Sequence, residues 1–310
     1  MGPTASGKTR LAITLSQLTN VELISVDSSL VYKGLDIGSA KPTAEEQALA
    51  PHRLIDICDP SEPYSVAQFC SDAEREIRDV LDRGNTPLLV GGTMLYFRAL
   101  LHGLSPMPKA DAEVRDHIWR EAESRGWPAM HRELQDIDPQ LAAKLHPNHS
   151  HRIARALEVY RVSGKPLSAW HSEHGNALLD QFDWRQIALV PTHRAALHHN
   201  IERRFDAMLQ QGFIDEVRKL KDRGDLHLQL PALRAVGYRQ IWQYLNGDYD
   251  QATMREKALA ASRQLAKRQL TWLRSWPDTL EIDPYKDDGG LCATEEILSK
   301  CLPYLGQRDL

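Results

Sequence analysis

The sequence has no apolar run approaching the roughly 18–20 residues that span a bilayer. Its start, Met1-Gly2-Pro3-Thr4-Ala5-Ser6, has no basic leader followed by an apolar core, so neither a membrane span nor a secretory signal is expected. Cysteine is scarce. Cys58, Cys70, Cys292 and Cys301 form no CxxC pair, which speaks against a zinc knuckle or a disulfide framework and for a reducing, cytoplasmic setting. Low-complexity runs and internal repeats are missing, which excludes disordered and fibrous architectures. Surplus positive charge is missing too: 38 basic side chains face 42 acidic ones, a net −4, where nucleic-acid binders usually carry a basic excess. What is present is 310 residues, 42% hydrophobic and 26% charged, enough for one large domain or a core with an insertion.

The first hundred residues alternate between helix-like and strand-like segments. Leu11, Leu15 and Leu18 recur at helical spacing after Lys8, and Val21–Val26 reads as a short parallel strand ending at Asp27. Ser65 with Gln68 forms a capping-box pattern ahead of Val66, Phe69, Ala73, Ile77 and Val80 on one helical face, closed by Gly84. Pro87–Val90 is a buried strand running into Gly91-Gly92-Thr93. Such alternation indicates an α/β core with a parallel sheet. From about Ala112 to Leu179 the strand pattern gives way to helical stretches broken by Pro128, Pro139 and Pro147, and Ile187–Val190 reads as a strand returning to the sheet. The expected organisation is a core of residues 1–111 and 180–310 with an all-helical insertion at 112–179. The chain is helical again to about Trp276, then polar and weakly patterned.

Gly2-Pro3-Thr4-Ala5-Ser6-Gly7-Lys8-Thr9 matches G-x-x-x-x-G-K-[ST] and opens a helix. Its glycines let the backbone wrap phosphate oxygens, the helix N-terminus supplies positive potential, Lys8 adds a point charge and the Thr9 hydroxyl can ligate Mg²⁺. The expected fold is therefore a P-loop NTPase-like parallel sheet flanked by helices. Such a loop should hang from a strand, yet only Met1 precedes Gly2, so the first strand is expected to be missing from this chain. Nucleotide hydrolases commonly place an acid after a second apolar strand to hold Mg²⁺. Here Leu88-Leu89-Val90 ends in glycines instead, and Asp27 is the only acid directly at a predicted strand end near the loop. Asp27 could act as a general base, assist a metal indirectly, or simply cap the turn with Ser28 and Ser29. Periodicity offers one more candidate. Ile201, Phe205 and Met208 define an apolar stripe beside which Arg204 lies, whereas Arg203 points away. An inward Arg204 suits bidentate pyrophosphate contact, the alternative being an arginine stem lying along a helix edge.

Several blocks occurring in order between residue 2 and about 276 resemble the bacterial tRNA dimethylallyltransferases. They are Gly2–Thr9, Ile24-Ser25-Val26-Asp27-Ser28-Ser29 with Tyr32 and Gly34, Asp36-Ile37-Gly38, and Ala40-Lys41-Pro42. Pro51-His52-Arg53-Leu54-Ile55-Asp56, Gly91–Tyr96, Arg234–Gln240 and Arg263–Arg274 complete the set. The resemblance implies transfer of a dimethylallyl group from dimethylallyl diphosphate to N6 of the tRNA adenosine at position 37. The loop Gly2–Thr9 would hold the donor's pyrophosphate, with Lys8, Thr9, Arg204 and Mg²⁺ stabilising the leaving group. Asp27 would take the proton or orient the amine.

The resemblance also implies tRNA contacts at Asp27-Ser28-Ser29-Leu30, Thr93, Arg115, His151-Arg152-Ile153-Ala154-Arg155, Arg234-Ala235-Val236-Gly237-Tyr238-Arg239 and Lys267-Arg268-Gln269-Leu270-Thr271-Trp272-Leu273-Arg274. The chain departs from the family at His149-Ser150-His151-Arg152, where Asp-Pro-Gln-Arg is common, so a glutamine contact does not carry over to His151. Trp272 reads as packing rather than as a base-stacking platform. Residues 191–277 hold 15 basic and 9 acidic side chains, +6, which leaves −10 for the remainder. The near-neutral average thus conceals a basic segment in which Leu259, Ala266, Leu270 and Leu273 form a buried stripe flanked by Arg263, Lys267 and Arg274. A cytoplasmic monomer acting on the anticodon stem-loop is expected, with no membrane partner. The competing readings are an adenylate isopentenyltransferase, which needs neither insertion nor basic helix, a P-loop kinase of small metabolites, and a pure RNA-binding module that leaves Lys8, Thr9 and Asp27 without a purpose.

Overall fold

Gly7, in left-handed backbone at φ +83°, starts helix α1 (Lys8–Leu18). Leu11 and Leu15 are buried, but Leu18 is exposed despite its place in the heptad-like spacing, because the helix stops at Thr19, whose N–H turns back to the Leu15 carbonyl. The computed structural model describes residues 1–171, 178–286 and 288–305, and the chain divides into two compact units, Met1–Arg98 with Asp183–Leu310, and Ala99–Phe182.

In the first unit β1 (Val21–Val26) buries Leu23 to Val26 and is the centre of a three-stranded parallel sheet. After α2 (Ala44–Leu49) comes β2 (His52–Arg53) on one side of it. Helix α3 (Val66–Asp82) begins with the expected Ser65–Gln68 capping box, and β3 (Thr86–Gly91) then pairs on the other side, followed by α4 (Met94–His102). The register sets Val26 against Gly91, and a Cβ on Gly91 would lie 2.0 Å from the Val26 carbonyl oxygen. Only glycine lets the two strand ends approach so closely. That approach brings the residues after Val26 beside those after Gly91.

The second unit is helical: α5 (Ala112–Arg125), α6 (Trp127–Ile137), α7 (Pro139–Ala142), α8 (Ser150–Ser163) and α9 (Leu167–His171). Ile118, Met130, Leu134, Ile153 and Leu157 form its core. It starts at Ala99, where helical periodicity alone placed the change at Ala112. The intervening segment has no periodicity, yet it is tied to α8. Asp111 N–H donates to Glu158 Oε1 at 2.8 Å, Arg155 Nη2 donates to the Pro108 carbonyl at 2.9 Å, and Met107 packs on the core.

Back in the first unit, β4 (Ile187–Leu189) precedes α10 (Arg194–Gln210), α11 (Phe213–Asp222), α12 (Tyr238–Leu245) and α13 (Gln251–Leu273). These helices share a core that includes Phe205, Phe213, Val217, Ile241, Ala266 and Leu270. Strand β4 does not join the three-stranded sheet, as its apolar run led us to expect. It pairs in parallel with β5 (Leu280–Ile282) as a separate two-stranded ladder. The main chain of Met1 bonds to the same strand, its ammonium donating to Ile187 O at 2.7 Å and its carbonyl accepting from Leu189 N–H at 2.9 Å. Strand β5 and α14 (Thr294–Leu305) fall where the sequence looked unpatterned; the three residues of β5 are too few for alternation to register. No helix among the described residues is long and apolar enough to cross a membrane.

Candidate active site

The loop ahead of α1 is built to face an anion. Left-handed backbone at Ala5 (φ +63°) and Gly7 (φ +83°) bends it so that successive N–H groups can line one concavity, next to the positive end of the α1 dipole. A cavity of about 340 Å³ opens there, lined among others by Thr4, Lys8, Thr9, Asp27, Thr93 and Arg204. Lys8 Nζ donates to the Pro3 carbonyl at 3.2 Å, and Arg204 Nη2 donates to Thr4 Oγ1 at 2.6 Å. Burial pulls the Lys8 ammonium down to about 8 and lowers Arg204 from its usual range, and the nearby Asp27 carboxylate opposes both shifts. With Arg268 also on the lining, three cations against one carboxylate leave the cavity net positive. Arg204 thus reaches the cavity wall, as inferred from the stripe of Ile201, Phe205 and Met208, all buried in α10; its side chain, like that of Arg203, stays open to solvent, but only Arg204 lines the cavity that holds Asp27. Lys8, Thr9 and Arg204 also line a second cavity of about 1090 Å³, so the loop is shared by two spaces.

A hydroxyl on Thr9 and a carboxylate on Asp27 are hard oxygen donors that line the same cavity, the kind Mg²⁺ takes. Among the described residues no group of three or more His, Cys, Asp or Glu side chains could hold a metal ion by itself. The donor set therefore fits a cation that draws most of its ligands from bound phosphate oxygens and water, which is how Mg²⁺ is commonly bound.

Asp27 follows directly on β1, and its Oδ1 accepts from Ser29 N–H at 2.8 Å. The turn-capping role is therefore realised, on a carboxylate that also lines the cavity. Ser28 N–H donates to Thr93 Oγ1 at 3.0 Å, which joins the strand end of β1 to the Gly-Gly-Thr turn after β3. Ser28, Ser29, Leu30 and Thr93 all line the cavity.

One organising residue was absent from the sequence reading. Glu216 of α11 accepts from the N–H groups of Asp36, Ile37 and Gly38 at 3.1, 2.7 and 3.1 Å, and from Tyr238 Oη at 2.6 Å. A Cβ on Gly38 would lie 2.0 Å from the Phe213 ring, so the loop lies flat against α11. The contact spans about 180 residues of chain, and no local pattern announces it. Glu216→Ala releases three N–H groups, of which that of Asp36 is open to water, and a buried hydroxyl, and a group left dry costs about 1–3 kcal/mol. The expected result is a loss on the order of 3 kcal/mol in urea unfolding.

The residues expected to face RNA separate into two sets. Arg152, Arg234, Arg239, Lys267, Arg268, Thr271 and Arg274 are exposed, and Arg268 lies at the cavity. His151 is exposed, its ring 5.2 Å from that of Trp119. Ile153, Ala154, Tyr238, Leu270 and Leu273 instead fill the cores of their units, because a contiguous helical motif points to every side and its apolar members turn inward. Gly237 is buried at φ +92°, Ala235 packs on the large core and Val236 lines the cavity. Arg115 and Arg155 both pair with Glu158, a carboxylate only 1% exposed, so their charge is committed within the helical unit. Trp272 is half-buried at the cavity with the Arg98 guanidinium 5.7 Å from its ring, and Arg263 lies 3.7 Å from Glu202. Gln269 spends its amide on backbone: Oε1 accepts from Thr4 N–H at 2.9 Å, and Nε2 donates to the Gly92 carbonyl at 2.8 Å.

Comparison with known proteins places this geometry in a family context. A family model described as IPP transferase matches residues 30–276, and one described as isopentenyl transferase matches residues 1–55. The structure is similar to that of the full-length tRNA isopentenylpyrophosphate transferase from Bacillus halodurans. Identity there is 38% over 98% of this chain and 94% of that one, with a TM-score of 0.68. It is similar to the tRNA delta(2)-isopentenylpyrophosphate transferase from Staphylococcus epidermidis, at 31% identity over 100% and 98% of the two chains and a TM-score of 0.69. A eukaryotic dimethylallyltransferase acting on tRNA matches at 28% identity over 90% of this chain and 72% of that one, with a TM-score of 0.74.

Proposed function

The chain belongs to the IPP transferase family, and from that premise we propose that it transfers a dimethylallyl group from dimethylallyl diphosphate to N6 of the tRNA adenosine at position 37, beside the anticodon, releasing diphosphate. The observation that carries this reading is the single cavity where a phosphate-type loop, Lys8 and Arg204 meet a strand-end carboxylate, Asp27. The donor's diphosphate lies on the N–H groups of the loop, with Lys8 and Arg204 neutralising it as negative charge grows on the leaving oxygen. The N6 lone pair forms the new bond to the allylic carbon, the carbon–oxygen bond breaks with its electrons going to diphosphate, and Asp27 takes the N6 proton. Thr9 would help hold Mg²⁺ beside the diphosphate, where the ion would supply further charge neutralisation. No nucleotide is hydrolysed, which accounts for the glycines where hydrolases carry an acid after the second strand.

An adenosine stacked in the anticodon loop cannot offer N6 to an enclosed cavity, so the base is turned out of the loop on binding. Exposed Lys267, Arg268 and Arg274 on α13, with Arg234 and Arg239, supply phosphate contacts, and His151 and Arg152 of the helical unit supply others. On the same reading the enzyme works as a cytoplasmic monomer. The test offers radiolabelled dimethylallyl diphosphate with bulk tRNA, with AMP, or alone. Label is expected in tRNA only. Label in AMP but not tRNA would overturn the reading, and ATP consumption without labelling would favour a kinase.

A further inference from the structure

We propose that Gln269 is a positioning residue that holds the donor loop and the acceptor side of the cavity in register, an inference that rests on the transfer reaction above. Gln269 sits in α13 between exposed Arg268 and the core residue Leu270, on the helix that carries Lys267, Arg268 and Arg274. Its side chain reaches away from that basic surface, and both ends of its amide are used.

On the donor side, Oε1 accepts from the N–H of Thr4, the residue whose hydroxyl receives Arg204 at 2.6 Å. On the acceptor side, Nε2 donates to the carbonyl of Gly92, next to Thr93, whose hydroxyl receives the N–H of Ser28 beside Asp27. One planar group thereby fixes the spacing between the two halves of the cavity. The fit is tight: a Cβ on Gly92 would lie 2.5 Å from Gln269 Nε2 and 2.9 Å from the Gly2 carbonyl oxygen. The second glycine before Thr93 is thus explained by the approach of this amide and of the donor loop, as the first is by the Val26 carbonyl. An amide also suits the task by chemistry, because it alone among side chains of this length offers a neutral acceptor and a neutral donor.

Displacing reacting groups by about 1 Å can cost on the order of 10²-fold in rate with little change in ground-state binding. The test uses the full chain with tRNA and labelled dimethylallyl diphosphate. Rates are expressed per donor-binding site, counted by equilibrium donor binding, so that a smaller folded fraction does not enter. Gln269→Met keeps length and bulk but loses both bonds. Gln269→Glu can still accept from Thr4 N–H but sets a carboxylate against the Gly92 carbonyl. Both are expected to lower kcat per site about 10–100-fold, with KM for donor and for tRNA moving less than about threefold. The proposal is overturned if kcat per site stays within about twofold of wild type. It is equally overturned if the loss appears as weaker tRNA binding, which would make Gln269 an RNA contact. Wild-type protein in the same assay separates the two levels: failure to label tRNA brings down the transfer reading and this inference together, whereas labelling by wild type with unchanged variants removes only the role of Gln269.

Discussion

Asp27→Ala is expected to lower the rate of prenyl transfer by about 10²–10⁴-fold, the usual contribution of a positioned general base, while tRNA affinity changes little. The argument starts from placement. Asp27 is the first residue beyond β1, held against the Gly-Gly-Thr turn by the Ser28–Thr93 bond, and it shares its cavity with Lys8 and Arg204. Because Oδ1 also accepts from Ser29 N–H, the alanine variant loses a turn cap worth about 1 kcal/mol as well as a base. Asp27→Asn separates the two roles. Its amide oxygen can still accept from Ser29, so the turn cap is preserved, but it cannot take a proton from N6. Both variants lose the carboxylate that offsets Lys8 and Arg204 and both should be inactive, with the alanine variant melting below the asparagine one by the lost cap. Single-turnover transfer at pH 7, filter binding of tRNA and a thermal melt supply the three readings. Near-normal turnover in Asp27→Asn would remove Asp27 from the chemistry and leave it as a cap.

The parts of this arrangement that the sequence disclosed are those set by neighbours a few residues apart. Gly2–Thr9 is a contiguous motif, α3 announces itself by Ser65 and Gln68, and Arg204 could be oriented because Ile201, Phe205 and Met208 mark one face of α10. What stayed hidden depends on distant partners. The Asp36-Ile37-Gly38 block was visible as a block, but that its N–H groups converge on Glu216 follows only from packing of the loop on α11. The same holds for β4, which looks like any apolar strand and whose choice of β5 over the larger sheet no local pattern encodes. Motifs on helices mislead differently. A run such as Lys267–Arg274 reads as one surface, yet in the fold Lys267 and Arg274 are exposed, Leu270 and Leu273 enter the core, and Gln269 reaches across to Thr4 and Gly92.

Lys8 carries the second large effect, and its sign differs between function and stability. Its ammonium is pulled down to about 8, from the 10.5 of a free lysine, chiefly by burial, with Arg204 adding to the fall and Asp27 opposing it. A diphosphate binds the protonated form, so donor affinity should be level below about pH 8 and fall as the pH rises beyond it. Lys8→Arg, whose guanidinium stays charged across this range, should flatten that alkaline limb even where its bulk lowers the maximum rate. Lys8→Met removes the charge at every pH and should cost about 10²–10³-fold in kcat/KM for the donor, comparable to deleting one preorganised charge-stabilising group. Stability moves the other way. Because the folded pKa lies below the unfolded one, the unfolded chain binds more protons between about pH 8 and 10.5, so this group's contribution improves with rising pH across that window and its full penalty applies below it. Lys8→Met lifts the penalty, and the donor-free protein should melt higher at pH 7 than wild type, by about 2–4 °C for each kcal/mol regained. A variant that loses donor turnover while gaining thermal stability marks a lysine kept for charge rather than for packing. If Lys8→Met melts below wild type, the ammonium is already compensated in the free protein, and the alkaline limb should then be missing from the donor-affinity profile as well.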